Sequence, residues 1–362
     1  MNIGVPRERR PDEHRVGLTP TRVEMLTRAG HRCYVEHSAG LGAGFQDDAY
    51  VRAGAQIVYS PEEVFGRADL VIKVARPTAE EGQWLRPGQV IMAFWHLATA
   101  SSEKLQRLRD HRITAIAYEM IRNDDGSAPI LRPMSQIAGR MSAHIAAGLL
   151  QNNYGGRGVL LGGLPGVPPA EVVILGAGTA GMAAARAFTG LGASVYILDR
   201  DVTHLERVFE HEQRRVTTMM AHHHNIEKVV KFADVVVGAV LIPGARTPVL
   251  VTREMVRTMR RRAVILDIDI DQGGSIETAR PTTHQTPTYL AEDVIHFCVP
   301  NLAGVLGRTA SHALAIATWP YVHHITEHGL DTAITHSSSL QRGVAIRDGD
   351  VVALDSRPEV SL

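Results

Sequence analysis

The first third of the chain alternates apolar runs with segments of mixed polarity. TPTRVEMLTRAG has apolar positions at helical spacing, which predicts a helix ending at Gly30. The apolar runs around it predict buried strands at 1–6, 31–37, 68–77, 88–98 and 113–121. Strands that alternate with helices are typical of a parallel sheet covered on both faces. An α/β domain is therefore predicted here.

A second alternating series follows. Its apolar runs predict strands at 172–178, 193–200, 233–240, 262–270 and 294–302. Such a series suits a doubly wound nucleotide-binding domain. The preceding segment 152–171 is rich in Gly and Pro, so we predict that it connects two domains. Residues 309–329 have the pattern of an amphipathic helix, and 343–354 that of a hairpin turning at Asp348-Gly349.

One predicted strand runs into ILDIDIDQGG, where Asp267, Asp269 and Asp271 are spaced by two. In a strand that period places all three side chains on one face. Three like charges buried side by side are costly unless each has a partner.

Composition narrows the classes of function. The 362 residues are enough for two domains, and the formal net charge of zero gives no basis for nucleic-acid binding. Cys33 and Cys298 have neither metal-ligand nor disulfide spacing, which suits a reducing cytoplasm. No apolar run reaches the ~18 residues of a membrane helix, and the charged first residues argue against a signal peptide. We expect a soluble cytoplasmic enzyme without membrane partners.

A glycine-rich turn follows the strand at 172–178. Gly176, Gly178 and Gly181 form the pattern GxGxxG, a helix rich in small residues follows, and Asp199 ends the next strand. In a dinucleotide-binding unit these glycines allow a tight turn, approach of the pyrophosphate, and close packing of helix and strand. The Asp199 carboxylate can accept the ribose hydroxyls of NAD and would repel a 2′-phosphate. The predicted cofactor is therefore NAD.

Polar side chains of the first domain are candidates for chemistry. Arg15 can bind a carboxylate through two N–H groups, although an Arg near a chain end is more often a surface residue. Lys73 interrupts the apolar run LVIKVA, and a buried Lys is costly, so it is a functional candidate. His96 follows a strand and could shuttle a proton, or be structural. For His222–His224 we expect a cofactor rim or a solvated loop, and no metal site.

With these residues collected, the sequence resembles the alanine dehydrogenases, which share ancestry with the nucleotide-binding part of transhydrogenase. The resemblance covers nearly the whole chain. Its motifs are GVPRERRPDEHRVGLTP, KVARP, FWHLA, AYEMI, PMSQIAGRM, GGRGVLLGGLPGVPPAEVVILGAGTAG, VGAVLIPGA, DIDIDQGG, RPTTH and ATWPYV. It implies an α/β fold with two Rossmann-like domains: a central doubly wound NAD-binding domain at 135–300, and a discontinuous substrate domain from 1–134 and 301–362.

The resemblance implies reversible, NAD-dependent oxidative deamination of L-alanine to pyruvate and ammonia. It implies that Arg15 and Lys73 bind the substrate, that His96 is the general acid/base, and that Asp271 orients ammonia or water. The implied cofactor-binding residues are Ser135, Gly176, Gly178, Gly181, Asp199, Gly238, Ala239, Val240 and Asn301. Members of the family are usually hexamers, so a homo-oligomer is expected.

Several residues depart from the family pattern. The family usually has KVKEP where this chain has Ala75 and Arg76, and Leu where it has Trp95. Arg132 replaces a small residue, and Asp269 replaces the Ala of DIAIDQGG. We hypothesise that Asp269 is neutralised by Arg76 or Arg132, and that these changes could shift the substrate pocket.

The departures leave two alternatives open. One is a paralogue that acts on a different amino or imino acid, including opine-type reductive amination. The other is a non-catalytic nucleotide-binding module, like a soluble transhydrogenase component. Such a module has no use for a substrate clamp, whereas Arg15, Lys73, His96 and Asp271 are all present.

Overall fold

The computed structural model describes residues 1–97, 106, 108–212, 215–242 and 246–352. The chain divides into two compact units. The first unit joins residues 1–134 to the chain from Ala303 onward, and the second comprises residues 135–302. Each unit has its own sheet and hydrophobic core.

Buried apolar runs form most of the strands. In chain order the strands are β1 (Asn2–Val5), β2 (Arg32–Glu36), β3 (Gln56–Val58), β4 (Leu70–Ala75), β5 (Val90–Phe94), β6 (Thr114–Ala117), β7 (Glu171–Leu175), β8 (Ser194–Asp199), β9 (Val216–Met220), β10 (Val235–Gly238), β11 (Val264–Asp267), β12 (Thr288–Ala291), β13 (Val294–Phe297), β14 (Val344–Arg347) and β15 (Asp350–Val351).

Helices connect most of these strands. They are α1 (Pro20–Arg28), α2 (Asp47–Arg52), α3 (Pro61–Arg67), α4 (Leu131–Leu149), α5 (Thr179–Gly190), α6 (Val202–His211), α7 (His223–Val230), α8 (Arg253–Thr258), α9 (Gly307–His328), α10 (Leu330–His336) and α11 (Ser338–Gly343). Short 3-10 turns lie at Leu41–Ala43, Glu81–Gln83, Tyr118–Met120, Asn152–Tyr154, Ile270–Gln272 and Leu302–Val305. None of the described helices has the length and apolar character needed to cross a membrane.

Local sequence explains where several helices begin and end. Pro20 occupies the first turn of α1, and Gly30 follows its end with a φ of 85°. The helix predicted to end at Gly30 is therefore confirmed. At the start of α3, the Ser60 side chain accepts a hydrogen bond from the N–H of Glu63, with Pro61 in the first turn.

The sheet of the first unit has the strand order β15-β14-β6-β5-β4-β1-β2-β3 in the described part of the chain. The six strands from β1 to β6 are parallel to their neighbours, whereas β14 and β15 pair antiparallel at one edge. Arg347 pairs with Asp350 across the predicted turn, which confirms the terminal hairpin. The strand order reverses between β1 and β4, where doubly wound sheets bind ligands.

The sheet of the second unit has the order β12-β13-β11-β10-β7-β8-β9 in its described residues. All of these strands are parallel except the edge strand β12. Alternate residues of β7 lie in different core clusters, Val172 and Ile174 in one, Val173 and Leu175 in the other. The sheet is therefore buried on both faces, as its apolar runs predict. The prediction of two doubly wound α/β sheets is confirmed.

The predicted connection at 152–171 is wrong, because the boundary between the units falls at Met134 and Ser135, inside α4. The segment belongs to the second unit and packs closely against it. A side chain at Gly156 would meet the backbone of Leu149 at 2.1 Å, and one at Gly162 would meet that of Leu191 at 2.4 Å. Its glycines serve close packing rather than a flexible link.

Candidate active site

In the first unit, the neighbouring parallel strands β1, β4 and β5 end at the same edge of the sheet. Arg15 lies in the chain that follows β1, Lys73 lies in β4, and His96 comes two residues after β5. The sheet thus carries all three predicted residues on adjacent strands or the segments that follow them. This edge includes the reversal in strand order at β1 and β4.

Lys73 is sealed inside the first unit, with no exposed surface. Its Nζ lies 2.7 Å from Oε1 of Glu81 and 3.4 Å from Oε2 of Glu8. Burial alone would lower the pKa of Lys73, but the two carboxylates outweigh it and raise that pKa above its ordinary value. The two glutamates occupy two of the three N–H donors of Nζ, and the predicted contact of Lys73 with the substrate stays a prediction.

Glu8 connects Lys73 to its surroundings. Its Oε1 accepts the N–H of Val74 at 2.7 Å, at an irregularity in the pairing of β4 with β5. Burial raises the pKa of Glu8, and the charge of Lys73 opposes that rise. Because the Glu13 carboxylate also acts on this pKa, the Arg15 ion pair lies in the same charged neighbourhood.

Arg15 is 5% exposed and binds the Glu13 carboxylate through two N–H groups, with Nε 2.6 Å from Oε1. A further contact is weaker, since Nη1 donates to the sulfur of Met134 at 3.3 Å. A substrate carboxylate is a much stronger acceptor than a thioether sulfur. The geometry is therefore compatible with a carboxylate at the Nη1 side of Arg15.

His96 is exposed and has a φ of 46°, in the left-handed region. Its backbone N–H donates to Oε1 of Glu119 at 2.6 Å. Nη1 of Arg76 donates to the carbonyls of Trp95 and His96, at 3.0 and 2.9 Å. One carboxylate and one guanidinium thus hold the backbone that presents the imidazole, which compensates for an unfavourable φ.

Trp95 packs into the core and does not support a changed substrate pocket. Its side chain belongs to the cluster that includes Phe65, Leu85 and Leu108, and the residue is 3% exposed. The indole N–H points to the carbonyl of Ile91 at 3.4 Å. The larger side chain therefore fills the interior of the first unit, and the shifted substrate pocket stays a prediction.

In the second unit, the glycine-rich turn follows β7, where the strand order reverses between β7 and β10. Gly176 has a φ of 99°, and a side chain there would lie 2.4 Å from the carbonyl oxygen of Ala239. A side chain at Gly181 would lie 1.8 Å from the carbonyl oxygen of Gly176. Gly178 precedes α5 as its N-cap. This tight turn into a helix fits a pyrophosphate.

Asp199 ends β8 next to that turn. Its Oδ2 accepts the N–H of Ala177 at 2.7 Å, and its Oδ1 accepts the N–H of Asp201 at 2.9 Å. The side chain of His204 approaches Oδ2 at 3.3 Å. The carboxylate is thus fixed at the carboxyl end of the strand beside the glycine turn, the position from which such an acid binds ribose hydroxyls.

The three aspartates do not share the face of a strand, so that prediction is wrong. Strand β11 ends at Asp267, whose carboxylate accepts the N–H groups of Asp269, Ser275 and Ile276 at 3.2, 3.0 and 3.3 Å. An Asp that binds the N–H two residues later turns the chain. Asp271 then falls in a 3-10 turn. Burial raises the pKa of Asp267 to about 6.

Each of the other two acids has its own hydrogen-bond donor. The carboxyl of Asp269 accepts the N–H of Val240, and Asp271 is exposed, with Oδ2 accepting the N–H of Asn301 at 3.0 Å. Asn301 has a φ of 54°. Because Arg76 and Arg132 belong to the first unit, their pairing with Asp269 stays a prediction.

The remaining predicted positions lie on, or directly next to, regular elements of the second unit. Ser135 is in α4, and Gly238 ends β10, followed by Ala239 and Val240. His222 precedes α7, and all three histidines at 222–224 are exposed. Among the described residues, no group of three or more metal-ligating side chains is arranged to hold an ion.

Acidic partners are what sequence reasoning missed. Glu8, Glu81, Glu13 and Glu119 each bind a side chain or backbone of a predicted residue. A buried Lys or Arg requires a counter-charge, and this requirement predicts that such acids exist. It does not say which ones, because the pairs involving Lys73 and His96 are formed by loops that only the fold brings together.

The fold and these residues define the class. One unit is doubly wound and has a glycine turn and a strand-end acid, and the other carries an exposed His among buried ion pairs. This combination is typical of a nucleotide-dependent oxidoreductase.

The comparisons with known proteins name the family. Residues 4–138 match the model for the alanine dehydrogenase/PNT N-terminal domain, and residues 142–353 that for the C-terminal domain. The alanine dehydrogenase of Methanococcus maripaludis is 46% identical over 355 residues, which cover 97% of this chain and 94% of that protein. The chain therefore belongs to the alanine dehydrogenase/PNT family, and its fold and family imply a nicotinamide cofactor.

Solved structures agree with this assignment. A structure of an L-alanine dehydrogenase matches with a TM-score of 0.93 and 43% identity, covering 97% of each chain. A transhydrogenase from Sinorhizobium meliloti matches with a TM-score of 0.84 at 24% identity, covering 97% of this chain and all of that one. The second likeness concerns the fold alone.

Proposed function

We propose that the protein is an NAD-dependent amino-acid dehydrogenase that interconverts L-alanine with pyruvate and ammonia. The observation that carries the proposal is the exposed imidazole of His96 at the carboxyl edge of a doubly wound sheet. Glu119 and Arg76 hold the backbone of His96 in this position. The first unit would bind the substrate and the second the cofactor. The high similarity to alanine dehydrogenases over nearly the whole chain supports this assignment.

The cofactor residues follow from the second unit. Gly176, Gly178 and Gly181 would hold the pyrophosphate, and Asp199 the ribose hydroxyls. Ser135, Asn301 and the turn Gly238–Val240 would line the rest of the cofactor. When bound, NAD supplies the acceptor or donor of a hydride at the substrate α-carbon.

In the first unit, Arg15 would bind the substrate carboxylate, in place of its weak contact with the sulfur of Met134. His96 would take a proton from the water that adds to the imine carbon. It would then return a proton to the nitrogen as the C–N bond breaks and ammonia leaves. Asp271 would orient the water or ammonia. Lys73 would be the counter-charge of Glu8 and Glu81, and its third N–H would bind the substrate carboxylate or keto oxygen.

Location and assembly complete the proposal. The two cysteines and the resemblance support a cytoplasmic enzyme that assembles as a homo-oligomer, a hexamer in most of the family. Its partners would be the amino or keto acid and ammonia, without nucleic acid or membrane.

One departure from the family pattern still bears on the substrate. Arg76 contacts the backbone of His96, and Arg10 lies near enough to help lower the pKa of Arg76, together with the larger effect of burial. Two neighbouring guanidinium groups can bind a second carboxylate of a substrate. A paralogue acting on a dicarboxylic keto acid is therefore the second candidate.

The test is a panel of 2-keto acids. The purified chain is mixed with NADH, ammonia and pyruvate, 2-oxobutyrate, oxaloacetate or 2-oxoglutarate, and NADH oxidation is followed by absorbance. We expect the highest kcat/KM with pyruvate, and no NADH oxidation when ammonia is left out. Preference for oxaloacetate or 2-oxoglutarate would establish a paralogue that acts on dicarboxylic keto acids. Turnover with an amino acid in place of ammonia would establish an opine-type enzyme. NADH binding without turnover of any keto acid would contradict dehydrogenase function and favour the transhydrogenase-like module.

A further inference from the structure

Asp269 joins two loops of the second unit. Its carboxyl accepts a hydrogen bond from the N–H of Val240, in the turn after β10. Its own N–H donates to Asp267 at 3.2 Å, and its carbonyl accepts the N–H of Gln272 at 2.8 Å. The residue is 8% exposed, so water competes poorly for these bonds. Asp269 thus connects the Val240 turn to the 3-10 turn that contains Asp271.

The same two loops are also joined by backbone bonds on either side. The N–H of Ile268 donates to the carbonyl of Gly238 at 3.1 Å, and the N–H of Thr247 donates to that of Gln272 at 3.0 Å. Val240 lies between these two links, and within the described chain the carboxyl of Asp269 is the acceptor for its N–H. Loss of the Asp269 side chain would remove the hydrogen bond to Val240, whereas the two backbone bonds on either side would remain.

We propose that Asp269 is a positioning residue, which fixes the turn Gly238–Val240 relative to Asp271. The inference rests on the proposed function, in which that turn lines the cofactor and Asp271 orients water or ammonia. The alanine dehydrogenase pattern has Ala at this position, so the side-chain link is a feature of this chain. Asp271 in turn binds the N–H of Asn301, so the fixed geometry continues to a third predicted cofactor segment.

The chemistry of the link suggests a conservative variant. Burial and the neighbouring Asp267 raise the pKa of Asp269 well above its ordinary value, which favours the neutral acid. A neutral carboxylic acid still has an oxygen that accepts the N–H of Val240. Asn has the same shape and also has such an oxygen, whereas Ala has none. Asp269→Asn should therefore keep the link, and Asp269→Ala should remove it.

The experiment measures the NADH dissociation constant by fluorescence titration, and kcat with the best keto acid, for both variants of the full chain. Asp269→Ala should weaken NADH binding about three- to tenfold, the range for one lost hydrogen bond, and lower kcat as well. Asp269→Asn should bind NADH within about twofold of wild type. Val256→Ala, which truncates a buried core residue of α8, is the control for lost stability. It should lower the unfolding midpoint without changing NADH affinity.

Two results would overturn the proposal. One is an Asp269→Ala protein that binds NADH and turns over like wild type. The other is an Asp269→Asn protein as impaired as Asp269→Ala, because the acceptor oxygen would then not explain the effect. NADH titration needs no substrate, so the proposal is tested even if wild type reduces no keto acid. A wild-type protein that reduces no keto acid would count against the proposed function alone.

Discussion

At the scale of single residues, the buried charges of the first unit decide what the neighbouring groups can do. Lys73, Glu8 and Glu81 form a buried cluster of charges. Removing one member of a buried ion pair costs more than forming the pair gains, because the partner stays buried without its counter-charge. The cluster therefore ties the stability of the first unit to the presence of Lys73.

We expect Lys73→Met to lower the free energy of unfolding by about 3–5 kcal/mol, because two buried carboxylates lose their cation. The KM for the keto acid should also rise in the folded protein, because Lys73 would contact the substrate. Urea unfolding and steady-state kinetics measure the two quantities, and exposed Lys228→Met is the control that should change neither. Wild-type stability in Lys73→Met would contradict the cost of breaking the buried cluster, and an unchanged KM would remove Lys73 from the substrate site.

The sequence predicted single residues unevenly, for a physical reason. His96 and Asp199 were predicted from their positions at strand ends, and the structure places both there. The three aspartates were predicted from a period of two, which holds only while the backbone stays in the strand. The Asp267 carboxylate captures nearby N–H groups instead and turns the chain. A periodicity argument does not include this competition.

At the scale of elements, apolar runs predicted the buried strands well because burial on both faces leaves a continuous apolar pattern. The strands that were not predicted, β3, β9 and β12, lie at or near sheet edges and are partly exposed. Their sequences therefore mix polar and apolar residues. The segment 152–171 was misassigned because glycines that allow close packing have the same composition as glycines in a linker.

The helix α4 provides a direct test of such packing. A side chain at Gly139 would lie 2.1 Å from the carbonyl oxygen of Ala180 in α5, whereas nothing lies within 4 Å of one at Gly148. We expect Gly139→Ala to destabilise the protein by about 1–3 kcal/mol through overpacking. Gly148→Ala should stabilise it by about 0.5–1 kcal/mol, because Ala favours a helix. Urea unfolding compares the two; equal effects would refute the close crossing of α4 and α5.

At the scale of the whole molecule, each unit repeats one plan, a doubly wound sheet whose order reverses next to its first strand. Loops at such a reversal bind ligands without changing the core. In the first unit the reversal carries charged side chains, and in the second unit it carries a glycine turn with Asp199. Composition and periodicity predicted two α/β sheets. The contribution of both chain ends to one unit was implied only by the family resemblance, because local patterns carry no information about which segments meet.

Cofactor binding should therefore stabilise the whole molecule selectively. Ligand at a hundred times its dissociation constant adds about 2.7 kcal/mol to the stability of the state that binds it. We expect NADH at that concentration to raise the Tm, and NADPH at the same concentration to have little effect, because the Asp199 carboxylate repels a 2′-phosphate. Thermal unfolding followed by circular dichroism measures both shifts.

The control for this selectivity is Asp199→Asn, which keeps an acceptor for the N–H of Ala177 and removes the charge. If repulsion by the carboxylate excludes NADPH, the variant should gain stability from NADPH, and the difference between the two cofactors should shrink. Equal Tm shifts with NADH and NADPH in the wild-type protein would show that Asp199 does not select the cofactor. The ribose contact would then have to come from a different residue of the second unit.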